Sequence, residues 1–303
     1  MRHERGMTAD DTIGTGDLVV AVDGGGTGCR VAIAERSGRI LSTANGGPAN
    51  VFSGFDAAVT NIVETVNAAC VAGGISVEQL RQADAVLGLA GANVGDAALR
   101  LPKRLPFRES LVLWDAETAI RGGLGGEDGA AAILGTGSVF GAVHGGTARL
   151  MGGWGFVLGD QASGAWLGRR LLERVLLAHD GLLEASPLCD VILSRFGNAP
   201  EEVVQFATSA GPQAFAGFAP QVLEHAAQDD AIALDLVRGG ARFVTASLKK
   251  LLPEGASRIC LIGGLGAQYA PYLPNEITVM LAAPKGNALD GALAIALERY
   301  GAA

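Results

Sequence analysis

At 303 residues the chain is too long for one average domain and suits two. With 49% apolar and 18% charged residues it has an ordinary globular composition, and its net charge of −8 argues against a nucleic-acid partner, which needs a basic surface. No apolar run reaches the ~18 residues of a membrane span, and Cys29, Cys70, Cys189 and Cys260 show no metal or disulfide spacing. There are 45 glycines, about twice the usual share of roughly 7%, and the excess sits in turns after apolar strands.

Residues 1–17 are polar and lack an apolar signal core, so they read as a disordered leader of a cytoplasmic protein. Leu18–Val22 and Arg30–Ala34 are predicted strands around a turn at Asp23-Gly24-Gly25-Gly26-Thr27-Gly28, and Arg39–Ala44 is a third. Phe55–Val71 carries Val59, Ile62, Val63 and Val66 at helical spacing. Ala85–Ala90 is a strand ending at Gly91; a short helix follows, then a strand over Ser110–Trp114 that ends at Asp115, with a helix from about Ala116.

The second half repeats that order. Ala131–Leu134 and Val139–Val143 flank a turn at Gly135-Thr136-Gly137-Ser138, and Thr147–Leu150 follows. A helical insert spans about 164–252, with apolar stripes at Leu167, Leu171, Leu172, Val175 and Leu176, and at Ala231, Leu234, Leu236, Val237, Phe243, Val244 and Leu248, which read as core. Arg258–Ile262 is a strand ending at Gly263-Gly264-Leu265-Gly266; Ile277–Leu281 is another, leading to a helix over Asn287–Arg299. An order repeated in pattern predicts two similar α/β domains facing a cleft, with strand C-terminal ends lining it. The plain alternative is two independent α/β domains with no shared site.

Glycine after a buried strand lets bare backbone N–H groups approach an anion. The first cluster is strand–turn–strand, which separates it from the dinucleotide fingerprint, and no Gly-Lys-Ser/Thr follows to make a Walker A loop. Asp23 at the strand end can orient Mg²⁺ through water while Thr27 and the amides reach phosphate oxygens; a tight hairpin with a left-handed turn is the alternative. Three such turns, converging in space, suit a nucleotide triphosphate. Asp115 at a strand tip suits a general base or a helix N-cap, Asp160, just before a helix, an N-cap, and Glu117 a solvated or first-turn helix acid. His144 reads as structural, His179 and Asp180 as a helix end with Gly181 as its cap, and Trp154 as either a cover for an apolar ligand face or core.

Asp23–Arg30, Gly135–Ser138, Gly152–Gly164 and Gly263–Gly266 together resemble the stations of the BadF/BadG/BcrA/BcrD ATPase family, of the actin–hexokinase–Hsp70 superfamily. Within it the likeness is to the amino-sugar kinases, through Gly152-Gly153-Trp154-Gly155-Phe156-Val157-Leu158-Gly159-Asp160-Gln161-Ala162-Ser163-Gly164, Val175–Gly181 and Pro187-Leu188-Cys189-Asp190, and it covers about residues 18–298. The resemblance implies two duplicated ribonuclease H-like (actin-like ATPase) domains around a central cleft. These would span 18–119 and 120–303, with the insert in the second and the terminal helix, 286–303, packing back on the first. It implies an ATP- and Mg²⁺-dependent kinase for the hydroxyl at C6 of glucosamine or N-acetylglucosamine, working as a homodimer. Asp23, Gly24, Gly25, Gly26 and Thr27 match the first phosphate element, and Gly135, Thr136, Gly137 and Ser138 the second. Gly263, Gly264 and Leu265 match the adenosine element, and Asp115 the general base. Asn50 and Asp160 match sugar-hydroxyl ligands, with Gly153 and Trp154 bordering the pocket.

One position departs from the pattern: Val139 stands where N-acetylglucosamine kinases often carry Asn, which tilts the choice toward glucosamine. The family's dehydratase activators need cysteines presented together for an iron–sulfur cluster, and none of the four lies in the matching stretch. A sugar-sensing regulator is the non-enzymatic alternative; no DNA-binding helix pair precedes residue 18.

Overall fold

The computed structural model describes residues 17–301; the expectation of a loose leader over 1–16 lies outside the described residues. Among the described residues, contacts divide the chain into two units: 17–115 with 292–301, and 116–291.

In the first unit, β1 (Leu18–Gly24), β2 (Cys29–Glu35) and β3 (Ile40–Gly46) form an antiparallel meander. Helix α1 (Phe55–Gly73) follows, then α2 (Val77–Gln82), β4 (Asp84–Leu89), α3 (Ala97–Arg100), a 3₁₀ turn over Leu101–Arg104 and β5 (Glu109–Trp114). The sheet order is β3-β2-β1-β4-β5, with β4 parallel to both neighbours. Central strands β1 and β4 read as almost unbroken apolar runs because both faces are covered. Helix α1 buries Val59, Ile62, Val66 and Ala69 against Val20, Val31 and Ile33, following its 3.6-residue stripe. Sequence periodicity missed α2, although its capping box (Ser76 with Gln79) is a legible start signal.

The second unit takes up the chain within α4 (Asp115–Leu124). Strands β6 (Gly129–Leu134), β7 (Ser138–His144) and β8 (Thr147–Gly152) form another meander. The insert then supplies α5 (Gly164–His179), α6 (Pro187–Arg195), α7 (Pro200–Ser209), α8 (Pro212–Ala216), α9 (Ala219–Ala226) and α10 (Ala231–Leu251). Strand β9 (Ile259–Ile262) joins β6 in parallel, giving the order β8-β7-β6-β9. Short helices α11 (Gly266–Tyr269) and α12 (Asn275–Thr278) precede α13 (Ala288–Tyr300), whose first residues belong to this unit and whose remainder belongs to the first. Within the second unit α13 meets α4 through glycines: a Cβ on Gly291 would sit 1.9 Å from the Thr118 carbonyl oxygen, and one on Gly122 1.9 Å from that of Asn287.

The predicted strand over Ile277–Leu281 is corrected. Ile277 and Thr278 both donate their N–H groups to the Pro274 carbonyl, winding the segment into α12 with Ile277 buried. The ladder survives only at the Ile259–Leu281 bridge, where Ile259 N–H donates to Met280 O and Ala282 N–H to Ile259 O, each at 2.9 Å. Leu167, Leu171, Leu172 and Val175 are core as read; Phe243 instead keeps 39% of its surface exposed. Helix α5 ends at Asp180-Gly181, with Leu182 N–H donating to Leu177 O and Gly181 N–H to Ala178 O, a Schellman closure. All four cysteines are buried and unpaired. Among the described residues no helix is long and apolar enough to cross a membrane.

Candidate functional site

In the first unit β1 and β4 end side by side, Gly24 opposite Leu89. The turn that leaves β1 is closed by Gly25 N–H donating to Gly28 O at 2.9 Å, and it is docked by Ala49 N–H to Gly25 O and Ala90 N–H to Gly24 O, both 2.8 Å. Gly24 is needed for space, since a Cβ there would lie 2.6 Å from Leu89 Cδ2. None of residues 24–28 takes a positive φ, so the left-handed hairpin alternative is not used. Gly26 and Thr27 are exposed, and nothing lies within 4 Å of a Cβ built on Gly26.

Asp23 faces Arg30 across the β1–β2 ladder, and Arg30 Nε donates to its Oδ2 at 2.9 Å. Sequence reading overlooked this partner; the signal was the hairpin register, which makes the residues flanking the turn a cross-strand pair. One carboxylate oxygen is thus occupied, and no cluster of three ligating side chains exists among the described residues. The donor set fits Mg²⁺ held through water and phosphate oxygens rather than in a protein cage.

Asn50 Oδ1 accepts from the Phe52 and Ser53 N–H groups at 3.0 and 3.1 Å. That oxygen is engaged by the local turn, and the amide nitrogen is what Asn50 has to offer a ligand. Asp115 is half-buried at the β5–α4 junction, the last residue of the first unit. Glu117 lies in the first turn of α4 and is half-buried rather than solvated, and burial pushes its carboxyl above the usual range against the pull of Arg121.

The second unit brings two glycine clusters together. Because β6 and β9 are parallel neighbours, Gly135 and Gly263 leave the sheet side by side. Leu265 N–H donates to Leu134 O at 3.1 Å, and a Cβ on Gly263 (φ +92°) would fall 2.5 Å from that oxygen. Gly135, Thr136, Gly264 and Leu265 line one cavity of about 720 Å³, walled on the far side by Gln213, Pro220, Leu223 and Glu224 from the α8 and α9 region. Thr136 Oγ1 and Gln213 Oε1 are 3.0 Å apart, the hydroxyl donating. These insert residues escaped sequence reading because nothing local marks them; long-range packing of α8 and α9 puts them there. Gly137 and Ser138 complete the turn outside the cavity lining.

The segment 152–162 wraps that turn. Ser138 donates its hydroxyl to Gln161 O at 2.7 Å, and Gly164 and Ala165 donate N–H groups to Gly135 and Thr136 carbonyls. Asp160 stands beside the turn, its Oδ1 accepting weakly from Ser138 N–H at 3.4 Å. Burial raises its carboxyl above the ordinary range, against the lowering effect of that N–H. The N-cap alternative for Asp160 fails, because Ser163 caps α5 by accepting from Trp166 N–H at 3.1 Å. Asp160 and Ala162 hold positive φ without being glycine, and Gly152, Gly153 and Gly155 of the same segment hold it as glycines; such backbone costs about 1–3 kcal/mol per non-glycine residue. Trp154 is 80% exposed, which removes the core reading, and Val157 and Leu158 beside it are exposed too. Val139 is half-buried in β7, paired with Ile133 and Gly152.

A meander followed by parallel strands, present twice, with glycine turns at the strand ends, defines two ribonuclease H-like domains of the actin-like ATPase kind. The model of the BadF/BadG/BcrA/BcrD ATPase family matches residues 20–284, and the chain belongs to that family. It is 34% identical over 278 residues to the glucosamine kinase GspK of Vibrio cholerae, covering 91% of this chain and 95% of that one. It is 28% identical over 170 residues to an N-acetylmuramic acid/N-acetylglucosamine kinase of Clostridium acetobutylicum, over 54% of each. Among solved structures it is similar to a candidate N-acetylglucosamine kinase from Chromobacterium violaceum, with TM-score 0.81, 32% identity, and coverage of 94% and 100%. A glucokinase of the ROK family from Streptomyces griseus shares the fold at TM-score 0.54 and 18% identity, with coverage of 92% and 98%.

Proposed function

We propose that the protein is an ATP-dependent amino-sugar kinase that phosphorylates the C6 hydroxyl of glucosamine. The observation that carries the reading is the shared cavity of Gly135, Thr136, Gly264 and Leu265, two separated backbone turns on one space of nucleoside size. The 34% identity to a glucosamine kinase over most of both chains supports the amino sugar. In this reading the nucleoside occupies the cavity and the amides of residues 135–138 and 24–27 hold phosphate oxygens. Mg²⁺, held by Asp23 through water, would neutralise charge on the phosphates.

Asp115 accepts the proton of the sugar hydroxyl as its oxygen forms a bond to the γ-phosphorus and the bond to the β-phosphate oxygen breaks, releasing ADP. Asp160 and the amide nitrogen of Asn50 orient the sugar, with Gly153 and Trp154 at its border. Val139 offers no hydrogen bond to an N-acetyl group, so glucosamine is preferred; an unpaired polar group costs about 1–3 kcal/mol. The enzyme acts in the cytoplasm as a homodimer.

A coupled ADP-release assay with Mg-ATP and a panel of amino sugars and hexoses tests this. Turnover should require an amino sugar, with kcat/KM highest for glucosamine. Fast ATP hydrolysis without sugar overturns the kinase assignment.

A further inference from the structure

Away from the glycine turns the second unit holds a separate groove of about 490 Å³ between α10 and the segment 271–274. One wall is a single stripe of α10: Arg242, Thr245 and Lys249 are spaced by three and four residues and so leave the same helix face. The other wall is Tyr272 and Pro274, with buried Leu273 between them. Charge sets this groove apart. None of its lining residues is acidic, although the chain carries a net charge of −8. Lys249 is tied to Glu276, which lies outside the lining. Arg242, like Arg238 one turn earlier, makes no hydrogen bond or ion pair among the described residues.

A guanidinium offers a planar fork that matches phosphate or carboxylate oxygens in pairs. Beside it stand an ammonium group and an aromatic and prolyl wall, in a volume within the roughly 300–1,000 Å³ of small-molecule sites. We propose that this groove binds a small phosphate-bearing molecule with a ring body, its phosphate on Arg242 and Lys249 and its ring against Tyr272. Inorganic phosphate shares the anion but cannot use the wall, so the two sources are separable. Binding is scored without turnover, and none of these residues belongs to the proposed catalytic machinery, so this site and the kinase reading stand or fall separately.

The test is calorimetric titration of the full-length protein with inorganic phosphate and with glucosamine 6-phosphate, with and without saturating non-hydrolysable ATP analogue. Glucosamine 6-phosphate should bind at least tenfold more tightly than phosphate whether or not the analogue is present. Arg242→Ala should weaken it at least tenfold, and Arg242→Lys should recover part of the loss. Tyr272→Ala should erase its advantage over phosphate. Affinity unchanged in Arg242→Ala, or no binding of either probe, overturns the proposal. Equal binding of the two probes to the unmodified protein overturns the role given to the ring wall.

Discussion

The first glycine turn, residues 24–28, and the second, residues 135–138, follow alike strands but are held by different means. The first is closed by one backbone hydrogen bond and docked by two more, with one carboxylate, Asp23, already matched to Arg30. The second is wrapped by the segment 152–162, fixed by Ser138 and Gln161, and carries on its flank the half-buried carboxylate of Asp160. A cavity of about 720 Å³ opens beside the second, where the third cluster at Gly263 joins it. Equal-looking motifs therefore do unequal work: the nucleoside-sized space belongs to the second unit, the candidate base to the first.

The largest expected effect breaks that division of labour. Asp115→Asn should lower kcat by roughly 10²–10⁴ while nucleotide affinity, measured by titration, stays within experimental error, because the cavity is lined by the second unit alone. Next comes Gly263→Ala. The left-handed backbone costs about 1–2 kcal/mol for any other residue, and the new Cβ would press on the Leu134 carbonyl. Nucleotide affinity should fall about tenfold or more, and the thermal midpoint should drop.

Asp160→Asn sharpens the contrast through pH. The folded-state carboxyl is raised by burial, so the unfolded chain ionises first, and ionising the folded state costs stability that returns as pH falls through the raised value. The variant should melt higher than the parent at pH 7, and that gain should shrink toward acid pH, leaving only the pH-independent part due to Asn tolerating positive φ. Turnover should fall at the same time. The smallest effect on folding is expected at Gly26→Ala, where the added methyl meets nothing within 4 Å; unfolding free energy should change by no more than about 0.5 kcal/mol.

Much of the fold was legible because apolar period and glycine placement are local signals. The strands around all three turns, α1, the paired stripes of α5 and α10, and the Gly181 cap were read directly. Ile277–Leu281 misled because its apolar spacing suits either a strand or one buried helical turn, and Pro274 decided for the latter. Candidate site residues were legible where backbone geometry demanded glycine, as at Gly263. They were not where pairing decided the role: Arg30 against Asp23 and the backbone turn on Asn50 both depend on which groups meet in space. Gln213, Pro220, Leu223 and Glu224 came from α8 and α9, which carry no local signal of a site, and Glu117 became half-buried through packing that its sequence neighbours do not reveal.

The far end of α13 carries a further consequence. Arg36 donates to the Tyr300 carbonyl and to buried Asp84, while Tyr300 and Arg299 both reach Glu109. The first unit thus takes its last strap from residues after 291. On the ribosome this strap stays unmade until the whole of the second unit has been synthesised, so completion of the earlier-made domain is the later event in assembly.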